Sequence, residues 1–390
     1  MSPPGTLHGA RVLVLGASGF LGGRLVERLV QERGAAVRML VRRVSAGSPA
    51  VRFPVDVVVG DLLDRSAIER AVEGCTVVFN CAKGTGGDAA RRRAVDVEAA
   101  GQVVESAARQ GARVVHVSTF AVYDLPRDGE VDERTPDAPA GDPYSDNKLA
   151  GERLALATGR SRGVPVTVIQ PTVVYGPRAG VHAADILDEM RTGRLVLVNG
   201  GLGICNAVYV DDVVTALLLA ASSDRAAGER VLVSGPEHPT WREFFEAFER
   251  MLGTPSTVSL TEAEALALWD RSRRRPWLVT ELLRTVREDP SVRKRLFATR
   301  EGTAARGVVE RVAPGLLRSA ERWAEPRAAG PVGDARPVQP ARPWVVRYLA
   351  KRARVRIDRA RELLGYQPVF GLDPGMRLTE AWARWAGLLG

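Results

Sequence analysis

The feature that most constrains this fold is a glycine-rich turn directly after a short apolar run. Residues 12–15 are apolar, the sequence GASGFLG follows, and helical periodicity begins at Leu21. Glycines at this spacing allow a tight turn, a close backbone approach to a ligand and close packing of the next helix. The helix N-terminus offers N–H groups to an anion such as pyrophosphate. A glycine-rich turn without a ligand is the alternative. The motif predicts a dinucleotide site formed by Gly16, Ser18, Gly19, Phe20, Leu21 and Gly22.

Short β-branched runs alternate with amphipathic stretches along most of the chain. The predicted strands are 11–15, 36–41, 55–59, 76–81, 113–118, 166–170 and 230–233, and the predicted helices are 21–31, 65–72, 94–110, 148–157 and 213–221. Near-continuous apolar strands are typical of a parallel sheet that is buried on both faces. The pattern predicts an α/β fold with a Rossmann-type doubly wound parallel sheet, which places ligands at the carboxyl ends of the strands.

The domain organisation follows from these elements. We expect a dinucleotide-binding domain over 10–175, with its sheet completed by about 206–234, and a smaller, mostly helical substrate-binding region over 176–205 and 235–390. Residues 261–325 are predicted as an arginine-rich helical insertion. Residues 326–343, rich in Pro, Ala, Gly and Arg, are predicted as a flexible linker. The segment 261–343 is interpreted as a substrate lid, an oligomer contact or a basic surface for anionic lipid.

Composition narrows the function classes. No apolar run reaches the roughly 18–20 residues of a membrane span, and the N-terminus lacks a leader pattern, so we expect a cytoplasmic protein without an integral membrane segment. The three cysteines and four histidines show no ligand spacing, which predicts no metal site. The net charge of +9 comes almost wholly from dispersed arginines, so we expect no nucleic-acid partner.

The second and third predicted strands carry residues suited to the adenosine half of a dinucleotide. The second strand ends in Arg42 and Arg43, where an arginine can pair with a 2′-phosphate, and this favours NADP(H) over NAD(H). A solvated surface role is the alternative for both. Asp61 and Leu62 follow the third strand and are placed to meet the adenine, with a plain strand-end turn as the alternative for Asp61.

Tyr144 and Lys148 are four residues apart, so on a helix they share one face. An ammonium that stabilises phenolate lowers the pKa of a tyrosine and makes it a usable acid or base. Thr119 ends the fifth predicted strand, where its hydroxyl could orient a reacting oxygen, and Ser118 is the competing candidate. These residues predict proton transfer beside a nicotinamide.

The chain resembles an extended short-chain dehydrogenase/reductase of the NAD-dependent epimerase/dehydratase type. The motifs that carry the resemblance, over about residues 10–250, are GASGFLG, GDLLD, HVSTFAVYD, YSDNK, QPTVVYGPR and YVDDV. The resemblance implies that Thr119, Tyr144 and Lys148 are catalytic. It further implies a homodimer through helices 94–110 and 148–157. It also places these residues near the cofactor: Asn80, Cys81 and Ala82 on the nicotinamide side, and Pro171, Thr172 and Val173 closing over it.

The substrate side departs from the family pattern. Sugar dehydratases of this type carry an Asp-Glu pair where Phe120 and Ala121 stand, so we expect no dehydratase. Nucleotide-sugar enzymes usually carry an arginine where Cys205 stands, followed here by Asn206, which disfavours a nucleotide sugar. The candidate substrate residues are Lys83, Phe120, Ala121, Thr172, His182 and Asn206.

The sequence thus predicts an NAD(P)-dependent oxidoreductase that transfers hydride between nicotinamide and a secondary alcohol or ketone of a small molecule, with a reductase using NADP(H) favoured. One alternative is a redox epimerase of a sugar or sugar-like substrate that retains NAD tightly. The alternative from another class is a redox-inactive nucleotide-binding module whose helical insertion recruits a partner or a membrane.

Overall fold

The computed structural model describes residues 7–43, 52–85, 87–137, 141–274 and 336–389. The strands in these ranges are β1 (Arg11–Leu15), β2 (Ala36–Val41), β3 (Asp56–Val59), β4 (Val77–Asn80), β5 (Arg113–Val117), β6 (Glu130–Val131), β7 (Val166–Pro171), β8 (Val173–Tyr175), β9 (Leu195–Val198), β10 (Ala207–Tyr209), β11 (Arg230–Val233), β12 (Thr257–Leu260) and β13 (Arg354–Val355). The α-helices are α1 (Phe20–Arg33), α2 (Arg65–Val72), α3 (Ala89–Arg93), α4 (Ala99–Gln110), α5 (Pro143–Arg162), α6 (Asp185–Thr192), α7 (Val210–Ser222), α8 (Trp241–Leu252), α9 (Glu262–Arg274), α10 (Pro343–Leu349), α11 (Asp358–Leu364) and α12 (Leu372–Trp385).

Seven of the strands form one parallel sheet in the order β11-β7-β5-β4-β1-β2-β3. Side chains of α1, α7 and α11 cover one face, and those of α2, α4 and α5 cover the other. Both faces are therefore apolar, which is why the strands are continuous hydrophobic runs. The predicted Rossmann-type doubly wound sheet is confirmed, and its strand order reverses between β1 and β4, where such folds bind ligands.

The helix predicted over 148–157 is longer in the structure, and the difference matters for the site. Pro143 occupies the first helical position, and the Asp142 carboxylate accepts a hydrogen bond from the Ser145 N–H (3.2 Å). This cap starts α5 early enough to place Tyr144 on its first turn. The helix predicted over 94–110 consists of a π-helical turn, Ala94–Glu98, followed by α4.

A second group of elements lies beyond the carboxyl end of β7. It contains three two-stranded parallel sheets, β6 with β13, β8 with β10 and β9 with β12. An aromatic cluster forms much of its core, with edge-to-face contacts from Phe244 to Tyr175 (5.8 Å between ring centroids), Trp241 (5.8 Å) and Phe248 (5.5 Å). This apolar core is separate from the two apolar clusters that cover the faces of the seven-stranded sheet.

The predicted insertion and linker are only partly within the described residues. The insertion begins as α9, and its remainder from 275 to 325 lies outside the described residues, as do 326–335 of the linker. The described part of the predicted linker makes hydrogen bonds to the rest of the chain. The Gln339 side chain donates to the Glu189 carbonyl (3.0 Å), Arg336 donates to the Ser256 hydroxyl (3.0 Å), and α10 begins at Pro343.

α4 and α5 lie side by side on the same face of the sheet. A homodimer through these helices stays a prediction. Across the described ranges, every helix is too short or too polar to cross a lipid bilayer.

Candidate active site

The glycine-rich turn between β1 and α1 is closed against the end of β4. Gly16 has φ +76°, and a Cβ at this position would lie 2.6 Å from the Cys81 carbonyl oxygen. A Cβ on Gly22 would lie 2.3 Å from the Gly16 carbonyl oxygen, so α1 packs directly on the turn. Gly19 caps α1 without a side-chain hydrogen bond, which leaves the first N–H groups of the helix available to a ligand.

The other residues of the motif differ in exposure. Ser18 and Gly19 are exposed, whereas Phe20 and Leu21 are half-buried and pack against apolar side chains. The turn thus offers backbone N–H groups on its open side and anchors the helix on its closed side. These features fit the pyrophosphate of a dinucleotide.

Arg42 and Arg43 are both exposed at the carboxyl end of β2. Asp61 is held nearby, because its carboxylate accepts from the Leu63 N–H (3.0 Å) and from the Arg91 guanidinium. Burial alone would raise the pKa of Asp61, but these two hydrogen bonds and the charges of Arg91 and Arg42 lower it. Arg91 was missed by sequence reasoning, since only the tertiary fold brings it to Asp61.

Asn80 ends β4, and Cys81 and Ala82 follow it at the carboxyl end of the sheet. Asn80 is buried, its side-chain N–H groups lie 3.2 Å from the His116 Nδ1, and its Oδ1 accepts from the Ala82 N–H (3.3 Å). Burial raises the pKa of the Cys81 thiol to about 12 and lowers the pKa of His116 to about 3. Both groups are therefore neutral at physiological pH, and neither is poised to act as a nucleophile or base.

Thr119, Tyr144 and Lys148 lie at the same end of the sheet. Thr119 lies beside Tyr144 and lowers the pKa of its phenol, which burial raises, and the Thr119 hydroxyl accepts from the Ala121 N–H (3.3 Å). The Lys148 ammonium is buried and donates to the carbonyls of Ala82 and Val117, each at 3.2 Å. Thr119 and Ser118 are both buried, and of the two it is Thr119 that acts on the Tyr144 phenol, while Ser118 lies near Glu152.

Asp96 is a buried acid beside Lys148 that sequence reasoning missed. It lies on the π-helical turn Ala94–Glu98, its Oδ1 is 3.9 Å from the Lys148 Nζ, and it accepts from the Gly84 N–H (2.9 Å). The turn sits directly on α5, because a Cβ on Gly151 would lie 2.2 Å from the Asp96 carbonyl oxygen. The only signal in the sequence is an acidic residue within an otherwise apolar helix face.

The pKa shifts of Tyr144 and Lys148 differ from those expected from the sequence. Burial raises the pKa of Tyr144, Thr119 lowers it, and the charges of Asp96 and Asp142 raise it, with a net increase. Burial lowers the pKa of Lys148, and Asp96 opposes this shift. The expectation that Lys148 brings the Tyr144 pKa below its usual value is therefore not met, because burial disfavours phenolate.

The candidate substrate residues fall into two sets. Lys83 is exposed, with its Nζ 4.5 Å from the centroid of the Tyr144 ring. The 3₁₀ turn Phe120–Val122 follows Thr119 and carries Phe120, which is buried, and Ala121. His182 Nδ1 lies 3.1 Å from the Val174 carbonyl oxygen, and burial lowers the His182 pKa.

Thr172 and Asn206 use their side chains in structural hydrogen bonds instead. The Thr172 hydroxyl donates to the Ser234 hydroxyl (3.0 Å). Asn206 donates to the Ala353 carbonyl (2.9 Å) and accepts from the Val355 N–H (3.0 Å), which ties the C-terminal segment to the fold. Of the residues expected to close over the cofactor, Pro171 ends β7 and Val173 begins β8, and both are buried. Within the described ranges, no group of three or more His, Cys, Asp or Glu residues is arranged to hold a metal ion.

A family model described as "NAD dependent epimerase/dehydratase family" matches residues 12–234, which is more than half of the chain. The protein belongs to this family. It is accordingly an enzyme of the dinucleotide-dependent oxidoreductase and epimerase type, and the glycine turn described above fits such a cofactor.

Two curated relatives are similar to this member of the family over part of its length. "Sterol demethylase protein B" of Methylococcus capsulatus is 32% identical over 252 residues, which cover 62% of this chain and 75% of that protein. A "4-hydroxy-2-methyl-3-oxo-4-farnesyl-3,4-dihydroquinoline-1-oxide ketoreductase" of Stigmatella aurantiaca is 32% identical over 231 residues, covering 57% of this chain and 66% of that protein. The match therefore spans just under two-thirds of the ketoreductase.

The fold has close solved counterparts. A crystal structure of UDP-glucuronic acid 4-epimerase from Bacillus cereus, in complex with UDP-glucuronic acid and NAD, matches with a TM-score of 0.66 at 16% identity. The alignment covers 96% of this chain and 99% of that chain. At this identity the likeness shows the fold alone.

Proposed function

We propose that this enzyme transfers hydride between a nicotinamide dinucleotide and a secondary alcohol or ketone of a small molecule, and that it acts mainly as a reductase with NADPH. The observation that carries the proposal is the placement of Thr119, Tyr144 and a buried Lys148 together at the carboxyl end of the sheet, where Lys148 donates to the carbonyls of Ala82 and Val117. Together these groups form a proton donor and an oxygen-orienting hydroxyl in one place.

The roles follow from the geometry. Tyr144 donates its proton to the substrate oxygen during reduction, and Thr119 hydrogen-bonds the same oxygen and orients it. Lys148, fixed by two backbone carbonyls at the end of the sheet, would hold the cofactor ribose. A bound reduced nicotinamide supplies the hydride.

The protonation state of Tyr144 supports catalysis in the direction of carbonyl reduction. Its raised pKa keeps the phenol protonated at neutral pH, which suits a general acid in carbonyl reduction. The similarity to a protein named as a ketoreductase supports the same direction. For the cofactor, Arg42 and Arg43 are exposed where a 2′-phosphate would lie, and the Asp61 carboxylate is already paired with Arg91.

The proposal extends to the organisation of the chain. Residues 10–175 and about 206–234 would hold the dinucleotide, through Gly16, Ser18, Gly19, Phe20, Leu21, Gly22, Arg42, Arg43, Asp61, Leu62, Asn80, Cys81, Ala82, Lys148, Pro171 and Val173. Residues 176–205 and 235–390 would shape the substrate side. The anchoring of Asn206 to the segment around β13 supports a substrate side built from distant parts of the chain.

The first experiment is to purify the protein without added nucleotide, denature it and identify any released dinucleotide by mass spectrometry. The emptied protein is then titrated with NADPH and NADH. We expect little retained nucleotide and a preference for NADPH. Near-stoichiometric NAD would contradict the dissociating reductase and support a redox epimerase.

The second experiment replaces Tyr144 by Phe and follows NADPH oxidation with a panel of ketones. We expect turnover to fall by about a thousandfold, since a general acid contributes 10²–10⁴-fold, while NADPH affinity is retained. A variant that turns over near the wild-type rate would refute the assignment. A wild-type protein that binds NADPH but turns over no ketone or alcohol would support a redox-inactive binding module.

A further inference from the structure

Lys83 is a cation placed on the catalytic tyrosine. Its Nζ lies 4.5 Å from the centroid of the Tyr144 ring, and the residue is exposed three positions after the end of β4. Among the described residues no carboxylate lies within 4.0 Å of this ammonium. A cation over a ring face is stabilised by the ring but is not neutralised by it.

The charges around Tyr144 leave this ammonium uncompensated. The Lys148 charge is balanced by Asp96 at 3.9 Å. The Asp142 carboxylate is engaged in capping α5, where it accepts from the N–H and the hydroxyl of Ser145, each at 3.2 Å. Burial lowers the pKa of both Lys148 and His182, and the positive charge of Lys83 lowers each further, so Lys83 lies near both α5 and the turn Gly180–Ala184.

It is informative that this cation is a lysine, because lysines are rare in this chain. Only four of the 55 basic residues are lysines, and one of these four, Lys83, lies over the Tyr144 ring. An ammonium is a compact point charge that can approach a single carboxylate closely, whereas a guanidinium is a larger planar fork. A lysine here suits a small anionic group close to the reacting oxygen.

The surroundings define where such an anion would lie. The reacting oxygen is expected at the hydroxyls of Tyr144 and Thr119, and the Lys83 Nζ lies only 4.5 Å from the centroid of the ring that carries the phenol hydroxyl. A carboxylate bound by Lys83 would thus be one or two carbons from the carbonyl carbon. The neighbouring Phe120 is part of the apolar core and offers no competing charge.

We propose that Lys83 binds the carboxylate of the substrate, and that the preferred substrate class is a 3-oxo acid or the 3-hydroxy acid formed from it. This inference rests on the hydride-transfer function proposed above. In the reduction the carbonyl carbon gains the hydride that the dinucleotide supplies and its oxygen gains the Tyr144 proton. The carboxylate is unchanged and serves only to orient the chain.

The test compares a charged and a neutral ligand of the same shape. The protein carries Tyr144→Phe, which keeps the ring beneath Lys83 but prevents turnover, and it is saturated with NADPH. Its affinities for 3-oxo-octanoate and 3-oxo-octanamide are measured by equilibrium titration. We expect the acid to bind at least about tenfold more tightly, the effect of one charge-assisted hydrogen bond.

Three further substitutions are made in the same protein. Lys83→Met should abolish the preference for the acid, and Lys83→Arg should retain most of it. The control is Arg160→Gln, which removes one positive charge from the exposed last turn of α5 and should leave the preference unchanged.

The outcomes separate this inference from the function on which it rests. Failure to bind NADPH would refute the proposed function. Binding of NADPH without a preference for the acid would refute only the role of Lys83. A Lys83→Met variant that weakens acid and amide equally, or that weakens NADPH instead, would also refute it, because Lys83 would then act on packing or on the cofactor.

Discussion

Replacing Asp96 by Asn tests whether the buried acid supports the charge of Lys148. The two side chains are buried, with 3.9 Å between Asp96 Oδ1 and Lys148 Nζ. At an effective dielectric constant of about 20, this separation corresponds to an attraction of about 4 kcal/mol. Asparagine retains an oxygen for the Gly84 N–H, so the loss is confined to the charge. We expect the free energy of unfolding at pH 7 to fall by about 2–4 kcal/mol.

The same substitution should change the pH dependence of activity. Asp96 raises the pKa of Lys148 against the effect of burial, so its neutralisation lowers that pKa further. Lys148 then loses its proton at a lower pH, and the alkaline loss of kcat/KM should begin at lower pH than in the wild type. The stability difference from the wild type should shrink as the pH rises, because the attraction disappears when Lys148 becomes neutral.

Urea denaturation and a pH profile of kcat/KM measure these effects. The matched control is Glu98→Gln on the same turn, where the acid is exposed and lies 3.8 Å from Arg93. This control should change the unfolding free energy by at most about 0.5 kcal/mol and leave the profile in place. If Asp96→Asn behaved like the control in both assays, Asp96 would not support the charge of Lys148.

Three further predictions concern the glycine turn, the cofactor phosphate and the C-terminal segment. Gly22→Ala should weaken NADPH binding in a titration and destabilise the fold by about 1–3 kcal/mol in thermal unfolding, because its Cβ would meet the Gly16 carbonyl oxygen at 2.3 Å; unchanged affinity would contradict this. Arg42→Ala together with Arg43→Ala should weaken NADPH binding about tenfold and leave NADH binding nearly unchanged, and equal losses would count against a 2′-phosphate site. Asp212→Asn should cost about 1–3 kcal/mol in urea denaturation, because this buried carboxylate accepts two backbone N–H groups, each at 3.0 Å, and an amide can accept only one of them well; a loss below about 0.5 kcal/mol would refute this.

The sequence by itself determined the sheet and the cofactor turn. Both depend on local patterns: apolar runs of strand length, helical periodicity and glycines at positions where a Cβ would collide with backbone. The pairing of Tyr144 with Lys148 was also local, because residues four apart share a helix face. Thr119 could be placed near them because the carboxyl ends of parallel strands meet at one edge of the sheet.

The tertiary structure alone decided the electrostatics and the use of individual polar side chains. Asp96 meets Lys148 and Arg91 meets Asp61 only because helices from different parts of the chain pack together. Asn206 is a predicted substrate residue, and only the structure shows that its amide binds the backbone around β13, about 150 positions later in the chain. Burial sets the pKa of Tyr144, and burial depends on packing from every side, so no spacing in the sequence encodes it.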